Sequence, residues 1–198
     1  MKKWLLLTAL GTLAIAIIMH VVTLIAVPIV IMNSAMAKYP ANQLMKGSKT
    51  NSESRNVVRP SPDLVYSIVC YDISEEPIRL TAKVPTDTYW SVSCFQQNTD
   101  NFFVVNDRQV KSNPVEILLV RKGMQVPDAG NAQVVVSPTN RGILLVRHLL
   151  QSDDKFPELV NIQKQSSLVI GSAPAKTVAG GLSFEAAEYL NTTFGFSI

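Results

Sequence analysis

The hydrophobic pattern of the chain changes once, near position 37. From position 4 to position 37 there is no Lys, Arg, Asp or Glu, and most residues are Leu, Ile, Val, Ala or Met. A helix needs about 20 apolar residues to cross the hydrocarbon core of a bilayer. Residues 4–32 therefore predict one membrane-spanning helix with the lipid bilayer as its partner. We place residues 1–37 outside the globular fold.

A cleaved signal peptide is the alternative reading of the same segment. Lys2 and Lys3 precede the apolar run, as in an export signal, and Ala35-Met36-Ala37 matches a small-x-small cleavage pattern. The apolar core of a signal peptide is only about 7–15 residues long, and this run is much longer. That length favours an uncleaved anchor, but both readings stay open.

The charges on either side of the apolar segment give conflicting indications of its orientation. Lys2 and Lys3 favour a cytoplasmic N-terminus, whereas four basic residues after the segment favour the opposite: Lys38, Lys46, Lys49 and Arg55. Long domains cross a membrane largely regardless of such charges. We therefore expect a single-pass inner-membrane protein whose C-terminal domain is periplasmic or otherwise extracytoplasmic.

Beyond the apolar segment, a polar stretch without periodic spacing is followed by a region in which apolar and polar residues alternate. Residues 38–58 carry Ser, Asn, Lys, Gly and Pro with no clear period, which is typical of a flexible linker. From 59 to 198 the dominant pattern is alternation of apolar and polar positions with a period of two. The segments with this pattern are 63–73, 78–84, 89–95, 102–106, 115–122, 132–137 and 142–150.

Seven short strands separated by turn residues favour a mostly β domain, a β-sandwich or jelly-roll-like antiparallel fold. The short connections between the first three strands indicate that these pair antiparallel with one another. Helical spacing appears only near the C-terminus, where Leu159, Ile162, Ser166 and Val169 recur after Ser152-Asp153-Asp154. A second short helix is predicted over residues 183–191. We thus expect one or two C-terminal helices beside the sheets.

The densest stretch of the β region combines aromatic and amide residues. The run QQNTDN, residues 96–101, lies between two alternating segments and predicts at least a turn. Aromatic surfaces beside amides suit sugars and other polar ligands, although the alternation of Trp90 with Val92 favours the core for Trp90 over a binding surface. Asp and Asn in loops commonly cap turns instead. The candidate binding residues are Arg59, Asp63, Tyr66, Tyr89, Trp90, Asn98, Asn101 and Asp107.

Catalytic chemistry has weaker support in the sequence. Outside the apolar segment there is one histidine, His148, which lies in an alternating segment and is predicted at a sheet edge or surface. No nucleophile elbow or zinc-protease motif is present. Asp63, Asp100 and Asp107 could converge as a carboxylate pair for glycoside hydrolysis. Arg59 and Asp63 could instead form an ion pair that fixes the start of the first strand.

The two cysteines and the net charge bear on three questions: a disulfide, a metal site and a nucleic-acid partner. Cys70 and Cys94 are the two cysteines, and they predict either a disulfide in an oxidising compartment or two buried thiols. Neither has a second metal ligand at short spacing, so no metal site and no cofactor is predicted. The formal charge of +3 falls to +1 without Lys2 and Lys3. A nucleic-acid partner is therefore not expected.

Several stretches resemble a known bacterial family. RPSPDLVYS (59–67), PTDTYWS (85–91) and QNTDNF (97–102) are similar to motifs of the domain-of-unknown-function 1254 family, and RGILLVRHLLQSDDKFPELVNIQKQ (141–165) is similar to a later segment of its short, membrane-anchored members. The resemblance covers roughly residues 55–170. It implies a jelly-roll-like domain in the cell envelope and supplies no activity. Longer members have a second domain that this sequence does not show.

Three hypotheses about function follow. The first is a membrane-anchored envelope domain that binds an envelope glycan, another small polar ligand or a partner. The second is an envelope hydrolase acting on a glycan through loop carboxylates. The third is a structural accessory subunit that contacts another membrane protein through residues 4–32. The sequence favours the binding domain over the enzyme and leaves the three open.

Overall fold

A long apolar helix precedes the β domain. The computed structural model of the chain describes residues 2–51, 54, 60–126 and 128–171. Helix α1, Lys2–Met36, extends past both ends of the predicted span. By length and composition alone it is able to cross a bilayer, and its first two thirds are exposed apolar surface. A membrane anchor and a signal sequence both have this length and composition.

All seven predicted strands are confirmed, with ends within two residues of the predicted ones. Two further strands, β1 and β9, were not predicted. The strands are β1 (Met45–Lys46), β2 (Leu64–Asp72), β3 (Ile78–Ala82), β4 (Trp90–Gln96), β5 (Asn101–Asn106), β6 (Val115–Arg121), β7 (Gln133–Ser137), β8 (Arg141–Leu149) and β9 (Ser167–Ile170).

The strands form a sandwich of two sheets. Sheet A has the order β1-β2-β8-β4-β5, and sheet B has the order β7-β6-β3-β9. Alternate residues of each strand point between the sheets, as Leu144 and Val146 do on β8, and form one shared apolar core. Burial of this alternating apolar face is the main stabilising contribution of the strands. Tyr71 of sheet A and Ser137 of sheet B also share a hydrogen bond of 3.0 Å across the core.

The predicted pairing of the first three long strands is wrong. β2 pairs with β8, β3 pairs with β6 and β9, and β4 pairs with β5 and β8. β2 and β4 lie in sheet A and β3 lies in sheet B, so the chain crosses between the sheets twice over these three strands, and β4 then forms a hairpin with β5. A short connection permits a crossing between stacked sheets as readily as a hairpin, so strand spacing did not determine the pairing.

One pair of strands is parallel, contrary to the all-antiparallel prediction. β6 and β7 are parallel neighbours, and the chain between them crosses the outer face of sheet B. Met124, Ala129 and Ala132 of this crossing pack on Leu118 and Val120. Parallel neighbours require such a crossover, since a tight turn cannot join them.

The end of α1 and part of the predicted linker contact the outer face and edge of sheet A. Met32 and Met36 pack against Ile68 and Cys70. Beyond the helix, β1 pairs with β2, and residues 41, 42 and 47 also contact β2. The described part of the stretch predicted as a flexible linker is thus attached to the sheet.

The C-terminal helix is shorter than predicted. A 3-10 turn, Asp153–Lys155, leads into α2, Phe156–Lys164, and Leu159 packs on Val65. The helical spacing through Ser166 and Val169 was misleading, because the chain turns at Ser166 and Val169 lies in β9, paired with Arg79. The second predicted helix, 183–191, lies outside the described residues.

A candidate polar cleft at one end of sheet A

A cleft of about 960 Å³ lies at the end of sheet A where β4 begins and β5 ends. One wall is the loop 84–89 before β4, and the other is the loop 106–113 after β5, with Gln151 closing the side. Because β4 and β5 are antiparallel neighbours, their outer ends bring these two loops together. The hairpin therefore determines the position of the cleft.

Hydrogen bonds hold the walls in place. The Asn113 amide donates to the Val84 carbonyl at 2.8 Å and accepts from the Val84 amide at 3.1 Å. Gln151 Nε2 donates to the Asp87 carbonyl at 3.0 Å. Thr88 Oγ1 donates to the carbonyl of Leu149 at 3.0 Å. The side chains that make these contacts therefore support the cleft and are not free to bind a ligand.

The groups left to face a ligand are an aromatic ring, two cations, the Asp87 carboxyl and the second oxygen of the Asp107 carboxyl, whose Oδ1 accepts from the Trp90 amide at 3.4 Å. The ring of Tyr89 is 40% exposed. Within the described residues, the side chains of Arg108 and Lys111 form no ion pair. Asp87 and Asp107 add carboxyl groups to the same lining. An exposed ring beside charged donors and acceptors has the chemistry that polar, hydroxyl-rich ligands require.

The structure separates the polar run 96–101 from this cleft. The run forms the turn of the β4–β5 hairpin, and the other five residues of β5, 102–106, lie between it and Asp107. At about 3.4 Å per residue the two ends are roughly 20 Å apart. The turn and the cleft are therefore different places, and Tyr89 and Asp107 belong to the cleft alone.

The turn satisfies its own polar groups. Asp100 Oδ2 accepts from Asn98 Nδ2 at 2.7 Å and from Gln96 Nε2 at 3.1 Å. Gln97 Nε2 donates to Asn33 Oδ1 of α1 at 2.9 Å. These contacts are those of a capped turn beside the helix end. Asn101 is exposed at the start of β5.

Residues near the start of β2 have structural roles where they are described. The Asp63 carbonyl accepts from the Leu150 amide at 2.8 Å, and the Tyr66 hydroxyl accepts from the Ser61 amide at 2.9 Å. Arg59 lies outside the described residues, so its predicted pairing with Asp63 stays a prediction. Tyr66 lies on the outer face of sheet A, away from the cleft.

Trp90 belongs to the core and offers no surface to a ligand. It is fully buried, and across sheet A it is in register with His148. The prediction that His148 lies at a sheet edge or surface is wrong, because β8 is the central strand of sheet A. Neither ring nitrogen of His148, nor Trp90 Nε1, has a hydrogen-bond partner. Burial lowers the pKa of His148 to about 4, so the ring is neutral at pH 7.

Of the two alternatives for the cysteines, the structure has the buried thiols and not the disulfide. Cys70 is in register with Ile143 and Cys94 with Leu144, and adjacent residues of β8 face opposite sides. The thiols therefore lie on opposite faces of sheet A with a strand between them, about 9–10 Å apart at backbone level, beyond the reach of a disulfide. Both cysteines are free and buried.

The three carboxyls considered for hydrolysis do not converge. Asp100 lies at the turn end of the hairpin and Asp107 at the cleft end. Asp63 precedes β2, three strands away from Asp107 in sheet order. Within the described residues no three His, Cys, Asp or Glu side chains form a group able to hold a metal ion.

Sequence reasoning missed several residues of the cleft, among them Arg108, Lys111 and Gln151. The signal was present in NDRQVKSN, 106–113, where two cations follow a strand with a single acid beside them. The sequence of the loop before β4 did not indicate a site, because this loop lines the cleft only where it meets the loop after β5.

Comparison with known proteins places the chain in a family and supports the fold. The VPA0106 protein from Vibrio parahaemolyticus is similar in structure, with a TM-score of 0.56 and 15% identity over 78% of this chain and 39% of that one. An uncharacterized protein from Burkholderia cenocepacia matches with a TM-score of 0.45 and 19% identity over 73% and 38%. This chain thus spans less than two fifths of the length of each. No curated protein matches it.

The model of one protein family of unknown function, DUF1254, matches residues 41–169. The matched part begins just after α1 and includes β1 to β8, α2 and all but the last residue of β9. It covers more than half of the 198 residues. The chain therefore belongs to the DUF1254 family.

Proposed function

We propose that this chain is a membrane-anchored envelope protein whose sandwich domain binds a small, hydroxyl-rich polar ligand, such as an envelope saccharide, in the cleft beside Tyr89. The observation that carries the proposal is the position of the cleft. It lies at the end of the β4–β5 hairpin opposite the turn that contacts α1. With α1 in a bilayer, the cleft opens away from the membrane.

The contacts of the helix end support an anchor that stays attached. Met32 and Met36 cover Ile68 and Cys70 on sheet A. Cleavage after Ala37 would remove both methionines and leave this apolar surface exposed to water, at a cost of about 25 cal/mol per Å². Lys2 and Lys3 before the helix support a cytoplasmic N-terminus, and hence a domain outside the cytoplasm.

The lining of the cleft supports the choice of ligand. The face of Tyr89 offers an apolar platform of the kind that packs on a sugar ring. Asp87 and Asp107 accept hydrogen bonds, and Arg108 and Lys111 donate them. A walled, prearranged cleft loses less entropy on binding than a mobile loop.

A thermal-shift screen of the full chain in lipid nanodiscs tests the proposal. The probes are mono- and disaccharides, including N-acetylated amino sugars, at concentrations up to 100 mM. A ligand at about 100 times its Kd adds roughly 2.7 kcal/mol to the stability of the folded state. We expect at least one saccharide to raise the melting temperature of the wild type and to lose this effect in Tyr89→Ala.

Asn101→Ala is the matched control, since it removes an exposed polar side chain at the other end of the same hairpin. Its response to the saccharide should equal that of the wild type. A shift that persists in Tyr89→Ala would place binding elsewhere, and no shift with any probe would contradict saccharide binding. In that case, co-purification of a membrane protein through α1 would favour the accessory-subunit hypothesis.

A further inference from the structure

The outer face of sheet A has an apolar part and a polar part. The apolar part lies under the end of α1 and includes Ile143 and Leu145. The next position of β8 on this face is Arg147. In register with it across sheet A are three polar residues: Tyr66 on β2, Ser91 on β4 and Asn106 on β5. We call Tyr66, Arg147, Ser91 and Asn106 the donor row.

Arg147 is the centre of the donor row, and no counter-charge faces it in the part of the chain that the structure describes. Its Nη2 donates to Ser93 Oγ, while its buried Nε has no hydrogen-bond partner. No carboxylate pairs with it within the described residues. A partly buried charge without a counter-charge is costly, and a bound anion would remove that cost.

The neighbours of Arg147 add further donors. Ser91 is fully buried and its hydroxyl has no hydrogen-bond partner. The Tyr66 oxygen already accepts from the Ser61 amide, so its proton is left to donate. The Asn106 side-chain oxygen accepts from the Arg108 amide at 3.1 Å, which leaves its NH₂ group to donate. The row contains hydrogen-bond donors and no carboxylate.

We propose that the donor row binds an anionic oxygen group of the phosphate class. Guanidinium donates two parallel hydrogen bonds to such groups, and these charge-assisted bonds are roughly twice as strong as neutral ones. The ligand is either the phosphate of an anionic lipid or a free phosphate. Arg147 lies two residues, about 7 Å, beyond Leu145 in the patch that contacts α1, and it is also close to Asn106 of the cleft wall, so the experiment must distinguish the two sources. The donor row shares Asn106 with the cleft wall, but the inference does not rest on saccharide binding in the cleft.

The test uses the full chain in nanodiscs of phosphatidylcholine and measures its melting temperature against inorganic phosphate. A second arm uses discs that contain phosphatidylglycerol, without added phosphate. We expect stabilisation in at least one arm for the wild type and for Arg121→Gln, which removes a guanidinium from sheet B. Arg147→Gln should weaken the response roughly tenfold or more in apparent affinity.

Ser91→Ala keeps the proposal testable if Arg147→Gln does not fold. The Ser91 hydroxyl has no hydrogen-bond partner in the wild type. Without an anion, the melting temperature of Ser91→Ala should therefore be equal to or above that of the wild type. The stabilisation of this variant by the anion should be weaker. A response to free phosphate assigns a soluble anion, and a response to phosphatidylglycerol alone assigns a lipid. The donor row would be overturned as an anion site if the melting temperature of the wild type rose in neither arm. The same holds if the wild type, Arg147→Gln and Ser91→Ala were stabilised equally.

Discussion

The ring of Tyr71 occupies the space that a side chain at Gly142 would need. The two residues are in register on β2 and β8, and a Cβ at position 142 would lie 2.6 Å from Tyr71 Cζ and closer still to the Phe95 carbonyl. Tyr71 in turn hydrogen-bonds to the Phe95 carbonyl at 3.1 Å and to Ser137. Glycine is therefore required here by close approach.

We expect Gly142→Ala to destabilise the fold by about 1–3 kcal/mol, since the added methyl group must displace a backbone carbonyl or the tyrosine ring. Chemical denaturation of the full chain in detergent measures this. Gly123→Ala is the comparison, because a Cβ there meets no atom within 4 Å and only the positive φ of 78° opposes it. A Gly142→Ala variant as stable as the wild type would contradict the predicted clash.

His148 should make the stability depend on pH. Burial depresses the pKa of His148 from 6.5 to about 4, so the unfolded state binds a proton first as the pH falls. The stability contributed by the neutral ring is fully present above about pH 6.5 and is lost progressively between about pH 6.5 and pH 4, on the order of 3 kcal/mol in total. Melting curves across this range provide the measurement.

The control for that prediction is His148→Phe, which cannot titrate. Its flanking residues in register, Val65 and Trp90, do not ionise between pH 4 and 7. Because both ring nitrogens of His148 are without partners, the variant should be at least as stable at pH 7. An equally steep acid dependence in His148→Phe would show that other groups cause it.

Arg79 should be among the most sensitive charged positions. It is 2% exposed and pairs with Glu116 at 2.9 Å, and its guanidinium also donates to the carbonyls of Ala129 and Asp128. Arg79→Ala leaves these acceptors without their donor, so we expect a loss of about 3 kcal/mol.

The exposed pair of Lys155 and Glu158, at 3.0 Å, is the comparison for Arg79. Pairs in water contribute little, so Lys155→Gln should leave the melting temperature nearly unchanged. Limited proteolysis gives a second readout, because Arg79→Ala should expose the crossing between β6 and β7. Equal melting temperatures for the two variants would contradict the role assigned to Arg79.

The two thiols should be unreactive in the folded protein. Burial raises the pKa of Cys70 to about 11 and that of Cys94 to about 12, and the thiolate is the reactive form. A thiol reagent at pH 8 should therefore modify neither cysteine in the native full chain and both after denaturation. Rapid modification of one cysteine, or a shift on a non-reducing gel, would contradict this arrangement.

The N-terminal segment should remain attached in cells. Intact mass spectrometry of the membrane fraction should give the mass of the uncleaved chain, since Met32 and Met36 are part of the packing on sheet A. A mature protein that begins at Lys38 would contradict the anchor. A reporter enzyme fused to the C-terminus, active only outside the cytoplasm, tests the orientation.

Strand positions and the apolar helix were predictable because both depend on local patterns. Alternation at period two identified seven strands, including β8, whose buried and exposed residues alternate along its length. A run of apolar residues without charge identified α1. Burial of Trp90 was also among the readings of that pattern, since it alternates with the buried Val92. These features require only near neighbours in the chain.

Pairing, burial of polar residues and the cleft were decided by tertiary structure. Whether β2 pairs with β3 or with β8 depends on which faces meet across the sandwich, and residues about 75 positions apart become neighbours. His148 is buried because β8 is central, and the cysteines are apart because one strand separates them. Tyr89 and Asp107 form one cleft because antiparallel pairing joins opposite ends of β4 and β5. The sequence by itself thus determined where strands and the helix lie, and long-range packing decided which side chains meet, because no local period carries that information.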